Sequence, residues 1–325
     1  MNFKRLGTIG AIALVGGLVL SPCAANEGGT PAETGDAGSS LTGTLVGAGS
    51  SAVGAAQETW IAEFQTANEG VTITYDPSGS GAGRETFLAG GSDFAGTDRA
   101  FNDEEVAAGG FASCTPESGI VQLPLYISPI AVIFNLEGIE SLNMDADTIA
   151  GIFAGTITTW NDPKIAEQNE GVELPATAIT AVHRSDDSGT TDNFTDYLAQ
   201  AAPSVWTYEA DGVWPIESGE AAQGTSGVVD AAIVDRSPLV EGRPDFDLSI
   251  ELDRTPDAAA YPVVLVAYLV GCETYVDAEQ GALVKEYFTY MASPEGQAAA
   301  AAGAGSAPIS ESLFEAVTAA IAVIK

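Results

Sequence analysis

Residues 41–83 read LTGTLVGAGSSAVGAAQETWIAEFQTANEGVTITYDPSGSGAG. LTGTLV predicts a strand, and after GAGSSA the apolar positions Trp60, Ile61 and Phe64 predict a helix. VTITY (71–75), with its β-branched alternation, predicts a second strand, and DPSGSGAG turns the chain into a short helix around Glu85 to Ala89. Strands alternating with helices in this way point to an α/β fold with mainly parallel sheets.

The same alternation continues outward. Buried strands are predicted within IVQLPLYISPIAVIFNL (120–136), broken at Pro124 and Pro129, in AITAVHR (178–184) and in YPVVLVAYLV (261–270). Helices are predicted over LVKEYFTYMAS (283–293), after Pro294, and over LFEAVTAAIAVI (313–324). There is no internal repeat. A chain of 325 residues, 46% hydrophobic with 37 glycines, is long enough for two domains with cores of their own.

The charge balance narrows the partners. Forty-five acidic residues face 11 Lys and Arg, for a formal net charge of −34. Nucleic acid is excluded, because its phosphates are gripped by basic side chains. Two readings of the acidity stay open. One is adaptation to high salt, where surface repulsion is screened, and the other is solubility alone.

The N-terminus is read as an export signal. Lys4 and Arg5 precede an apolar run from Thr8 to Leu20, too short to span a bilayer. Residues 1–22 are expected to be removed as a signal peptide. Leu20, Ser21, Pro22 and Cys23 resemble the lipobox of bacterial lipoproteins, which makes Cys23 the expected lipid attachment point. Cleavage after Ala25, giving a soluble exported protein, is the alternative. Residues 23–40 lack large apolar side chains and read as a flexible tether. With Cys23 used for lipid, Cys114 and Cys272 remain as a disulfide candidate in an exported protein, the other reading being two separate buried thiols.

Three loops share one plan. GAGSSA (47–52), SGSGAG (78–83) and DSGTT (187–191) each follow a predicted strand and open a predicted helix. Glycines let backbone amides converge there, and the first turn of a helix leaves amides unpaired and partly positive. That combination binds anions. A fourth element, GTDRAF (96–101), places Asp98 after a short strand. A carboxylate suits an anion that still carries a proton, as phosphate does near neutral pH and sulfate does not. Of the scarce basic residues, Arg84, Arg99 and Arg184 lie within or beside these loops. Arg184 is the strongest candidate, with Asp186 placed to hold its planar fork of donors. Arg243 is expected to lie outside the site.

Enzymatic readings fare worse. GAGSSA with Asp76 imitates a dinucleotide-binding fingerprint, but nicotinamide cofactors do not accompany exported proteins. A phosphatase or esterase would use Ser188 with the only histidine, His183, which strand alternation turns away from Arg184 and the anion loop. No metal and no cofactor are expected.

GAGSS, SGSGAG, SDFAGTD and HRSDDSGTT, in this order and spacing, resemble the phosphate-binding proteins of bacterial phosphate ABC transporters. TITTWNDPKIAEQN (156–169) is similar to a second-domain segment of that family. The resemblance implies a type II periplasmic-binding-protein fold with a ligand cleft between two lobes joined by hinge strands. Lobe 1 would comprise residues 41–126 and 257–325, and lobe 2 residues 127–256. It implies that phosphate is held by Ser51, Ala52, Ser80 and Asp98 from one lobe and by Arg184, Ser188, Gly189 and Thr190 from the other. Asp186 would support Arg184 from behind. The implied partners are inorganic phosphate, the membrane permease of an ABC transporter, and the membrane itself through the lipid. The protein is expected to be a monomer on the outer face of the cell membrane. Sulfate or molybdate is the alternative cargo. One departure stands out: after SGVVD (226–230) the chain passes directly to AAIVDRSPLVEGRPDFDL, so lobe 2 is expected to be shortened after residue 230.

Overall fold

A computed structural model describes residues 41–216, 220–221, 232–255 and 261–325. The proposed signal peptide, Cys23, the tether and the segment at residue 230 lie outside the described residues.

In chain order the elements are β1 (Thr42–Gly49), α1 (Gly54–Ala67), β2 (Gly70–Asp76), α2 (Ser80–Leu88), β3 (Phe94–Thr97), α3 (Asp103–Ala108) and β4 (Ile120–Pro129). There follow α4 (Ala146–Phe153), α5 (Pro163–Ala166), β5 (Val182–His183), α6 (Gly189–Ala201), β6 (Glu220–Ala221) and α7 (Ala232–Arg236). The last four are β7 (Val264–Cys272), α8 (Ala278–Ala292), α9 (Pro294–Ala304) and α10 (Glu311–Ala322). Among the described residues the strands form a five-stranded sheet in the order β2-β1-β3-β7-β4 and a two-stranded pairing of β5 with β6.

The larger sheet is mixed rather than mainly parallel. β1 runs parallel to β2 and β3, but β7 lies antiparallel to both β3 and β4. The difference has a simple origin: β7 comes from the far end of the chain and enters between strands already adjacent in sequence. β4 and β7 read as continuous apolar runs because they are buried along their whole length. β4 is nonetheless an edge strand. Its open side is covered by bridges from Gln122 to Asp247 and from Ile127 to Ala307.

Two expected strands are corrected. Pro124 does not break β4; the strand runs through it with a register shift between Pro124 and Tyr126, where the missing N–H is absorbed at the sheet edge. The following IAVIFNL (130–136) is not a strand, and Ile133 is 68% exposed. AITAVHR shrinks to the two residues of β5, with Ala178 in an isolated bridge to Thr159.

Two principal apolar cores result, with a small satellite cluster around Ile152, Ile157 and Ile165. The larger packs α1, α2, α8, α9 and α10 on the five-stranded sheet around Trp60, Phe87, Phe94, Tyr287 and Phe288. Trp60 satisfies its indole N–H on the Gly296 carbonyl at 2.7 Å. The smaller gathers Ile149 of α4, Phe194, Tyr197 and Leu198 of α6, and Trp206. Ile130, just past β4, packs against both, and its amide donates to the Val263 carbonyl just before β7. The chain leaves the larger core just after β4 and re-enters it at β7, with Val234 and Leu248 also packed in the larger core. No helix among the described residues is long and apolar enough to cross a membrane.

One glycine fixes the approach of the first loop. Gly49 has φ +142°, and a β-carbon there would lie 1.9 Å from the Gly96 carbonyl oxygen. β1 and β3 could not converge at their ends with any other residue.

Cys114 and Cys272 form a disulfide across 158 residues of chain, joining the segment after α3 to the end of β7. Closing so long a loop restricts the unfolded chain and contributes about 2–5 kcal/mol. Cys114→Ser with Cys272→Ser, or reduction of the native protein, is expected to lower the thermal midpoint by roughly 5–15 °C. A midpoint that ignores reductant would show that the link carries no stability.

Candidate functional site

The four loops meet where the strand ends of the larger sheet face the start of α6. At the end of β1, the Ser50 amide donates to the Gly96 carbonyl at 2.7 Å, and Tyr75 Oη donates to the Ser50 carbonyl at 2.9 Å. Those two bonds pin the turn that carries Ser51 and Ala52. The next loop is tied to the first, since the Gly79 amide donates to the Gly49 carbonyl at 2.8 Å. Ser80 then opens α2.

Ser80 and Asp98 are locked together. Ser80 Oγ accepts from the Asp98 amide at 3.1 Å and donates to Asp98 Oδ2 at 3.3 Å. Asp98 is only 4% exposed, and its Oδ1 is buried with no hydrogen-bond partner among the described residues. Burial pushes its carboxyl up to about 6, while the Ser50 and Ser80 hydroxyls and then Arg184 and Arg84 pull it back down.

From the other side comes α6, with Ser188 as its N-cap. The Ser188 hydroxyl accepts from the Thr191 amide, and the Ser188 amide donates to the Gly212 carbonyl at 3.0 Å. Gly189 sits so close to the opposing loops that a β-carbon would lie 2.5 Å from Asp98 Cβ and 2.6 Å from Ser80 Oγ. The helix start, with its unpaired first-turn amides at Gly189 and Thr190, thus abuts the buried carboxylate.

Arg184 leaves the end of β5 already engaged. Its Nε and Nη2 form a fork on Asp186 Oδ1 and Oδ2 at 2.7 and 2.5 Å, and its Nη1 donates to Ser51 Oγ at 3.1 Å. The Arg184 guanidinium holds the Asp186 carboxyl below its usual range. The expected residues fall into two contacting sets, Ser51–Arg184–Asp186 and Ser80–Asp98–Gly189, with Ser188 and Thr190 flanking Gly189 at the start of α6; Gly79 lies between the sets, beside Asp186 and Arg184. Ala52 differs in detail: its amide donates to Ser50 Oγ at 3.1 Å, so a ligand must compete with that hydroxyl.

Sequence reasoning missed three supporting residues. Ser50 is fully buried between the Ala52 amide and Asp98. Asn193, buried on α6, donates from Nδ2 to the Asp98 carbonyl at 2.6 Å and to the Gly189 carbonyl at 2.9 Å. Its spacing of four residues from Gly189 places both on one helix face, a signal the sequence does carry. Arg254, 1% exposed, donates to Asn193 Oδ1 at 2.7 Å, to the Val264 carbonyl at 2.8 Å and to Asp196 at 2.6 Å. It belongs to no motif. Arg243, expected to lie outside the site, is buried between Asp103 and Asp247 and donates to the Phe101 carbonyl.

A cavity of about 600 Å³ takes Asp98 into its wall but is otherwise lined by Arg84, Arg99, Asp187 and Asp192 rather than by Ser51, Ser80 or Arg184. The contacts, more than the cavity, define the anion-compatible point. The hydrolase geometry is not formed. His183 stacks flat on Trp214 with ring centroids 4.6 Å apart, its Nδ1 lies against the Arg184 carbonyl, and among the described residues it makes no hydrogen bond to Ser188.

The PBP superfamily domain matches residues 34–295 of the chain. Phosphate-binding protein PstS 3 of Mycobacterium tuberculosis is 32% identical over 337 residues, covering 88% of this chain and 90% of the relative. Among solved structures, a phosphate-binding protein from Stenotrophomonas maltophilia superposes with a TM-score of 0.60 at 16% identity, covering 86% of this chain and 94% of the other. A putative phosphate ABC transporter substrate-binding protein with bound phosphate, from Clostridium perfringens, gives 0.55 at 20% identity, covering 82% and 100%. At those identities the structural likeness speaks for the fold alone.

Because burial favours the neutral Asp98, the folded protein holds a proton between the ordinary carboxylate range and about pH 6 that the unfolded chain has released. Stability therefore falls as pH rises through that window. Asp98→Asn is expected to stabilise the ligand-free protein at pH 8 by about 2–3 kcal/mol, the gap closing as the pH is lowered toward 4. Thermal unfolding of both proteins across pH checks it, and a pH-independent gap would refute it.

Proposed function

The chain belongs to the periplasmic-binding-protein superfamily and, within it, to the PstS phosphate-binding proteins, and we propose that it captures inorganic phosphate outside the cytoplasm and passes it to the membrane permease of a phosphate ABC transporter. The observation that carries the reading is Asp98, a buried carboxylate with one oxygen unpartnered among the described residues, set against the amides of a helix start.

Phosphate at neutral pH carries both negative oxygens and at least one P–OH. In the proposed complex a P–OH donates to Asp98 Oδ1. The remaining oxygens accept from the Arg184 guanidinium, from the hydroxyls of Ser51, Ser188 and Thr190, from the amides of Ala52, Gly189 and Thr190, and from the Ser80 hydroxyl once its proton turns from Asp98 Oδ2 to the ligand. Asp186 orients Arg184 so that little rotamer freedom is lost on binding. Sulfate, bearing no proton, would set an oxygen against Asp98 with nothing between them. A site built on such a bond rejects the mismatched ligand by about 10⁴–10⁵.

We place lobe 1 at 41–126 and 257–325 and lobe 2 at 127–256; the smaller core, drawn from residues 130–216 and Val263, supports a separate second lobe, while Val234 and Leu248 pack into the larger core. Residues 1–22 would be removed as a signal peptide, Cys23 would carry the lipid and residues 23–40 would act as the tether. The Cys114–Cys272 disulfide fits an oxidising compartment. The chain would act as a monomeric binding protein with no catalytic step.

Calorimetry on phosphate-stripped protein is expected to give one tight site that a large excess of sulfate leaves unaffected; equal competition would overturn the phosphate assignment. Arg184→Ala is expected to weaken binding by about 100-fold or more, the cost of removing one partner from a desolvated charge pair. The exposed Lys164→Ala is expected to bind as wild type. Equal behaviour of the two variants would mean the site is misplaced.

A further inference from the structure

A second set of charges joins the same two cores beside the ligand loops. Arg84 on α2 is 6% exposed; its Nη2 donates to Asp187 Oδ2 at 3.0 Å and its Nη1 to Thr97 Oγ1 at 3.1 Å. Arg99, just after β3, forks onto Glu105 at 2.8 and 3.0 Å and approaches Asp192 at 3.7 Å. Glu105 also lies 3.7 Å from Arg84 Nε. α2 and β3 pack into the larger core through Phe87 and Phe94, whereas α6 packs into the smaller core through Phe194 and Leu198. Cations therefore come from one core and the anions Asp187 and Asp192 from the other.

Their positions along the chain matter. Asp187 immediately precedes Ser188, and Asp192 follows Thr190 by two residues, so the pairs bracket the segment 188–190. The backbone closes on the same point: the Gly81 amide donates to the Asp187 carbonyl at 3.2 Å. Asp187 is also seated between two glycines, and a β-carbon on Gly81 or Gly212 would lie 2.4 or 2.3 Å from its carboxylate. This seating directs the partly exposed Asp187 carboxylate toward Arg84.

Taking phosphate binding as proposed above, we infer that Arg84–Asp187 and Arg99–Asp192 form a charge clasp between the two cores. Its members are positioning residues that hold the start of α6 against Ser80 and Asp98 once phosphate is in place, and so set how slowly phosphate leaves. None of the four touches the ligand in this arrangement. The pairs act after encounter, so they lengthen residence without speeding capture.

The test is stopped-flow measurement of phosphate association and release on wild type, Arg84→Met, Asp187→Asn and the double variant, with Asp192→Asn as a variant that keeps Arg84. Release is expected to quicken by about 10-fold in each single variant, association to stay within about 3-fold, and the double variant to match the singles, since either change opens the same pair. The thermal midpoint of the phosphate-free Asp187→Asn protein is expected to stay close to wild type. Unchanged release in Asp187→Asn and Asp192→Asn, or additive effects in the double variant, would overturn the clasp while leaving phosphate binding intact. Should Arg84→Met fail to fold, the two aspartate variants decide the matter. Wild-type protein that takes up no phosphate would instead overturn the functional reading beneath it.

Discussion

A carboxylate buried against the start of a helix is the interaction on which the rest of this site depends. Asp98 has little contact with water, one oxygen held by Ser80 and the other with no partner among the described residues. Desolvation alone would make that arrangement costly. It persists because its surroundings fix it from several directions: Ser80 grips its amide, Asn193 its carbonyl, and Gly189 leaves no gap. A group held so firmly and satisfied so incompletely is poised for a partner that brings a proton.

Overall charge works against an anion here. With a formal net charge of −34, the protein's far field repels phosphate, and attraction has to be built at short range. The structure meets that requirement by committing its few arginines to fixed posts. Arg184 is forked onto Asp186, Arg99 onto Glu105, Arg243 is set between two aspartates, and Arg254 ties Asn193 to the strand entering the larger sheet. Each is neutralised by a carboxylate, so orientation rather than net positive charge is what the arginines contribute. In the proposed complex the hydroxyls and helix-start amides would carry much of the recognition, and those are indifferent to the sign of the surface.

The loops were legible in the sequence because their physics is local. Glycines and small hydroxyl residues between a β-branched run and a helical period leave few alternatives, so the loops around Ser51, Ser80 and Ser188 could be placed from residues 47–52, 78–83 and 187–191 alone. What could not be read was set by distant partners. The persistence of β4 through Pro124 depends on its being an edge covered by residues near 247 and 307. The apolar IAVIFNL looked like a strand, but among the described residues only Leu136 is paired, in an isolated bridge to Ile139. β7 was visible as an apolar run, whereas its antiparallel direction was not, since strand direction is decided by the partner. Ser50, Asn193 and Arg254 escaped because their roles arise from convergence of segments up to 156 residues apart, Asp98 and Arg254 being joined through Asn193.

The insertion of β7 between β3 and β4 bears on when the protein acquires its shape. During synthesis the N-terminal residues emerge first, yet the strand that completes the larger sheet spans Val264–Cys272, near the end of the chain. Until it arrives, β3 and β4 have no common neighbour and Cys114 has no partner. The larger sheet is therefore complete only when β7 takes its place between β3 and β4, and the disulfide then fixes that strand's far end to the segment after α3.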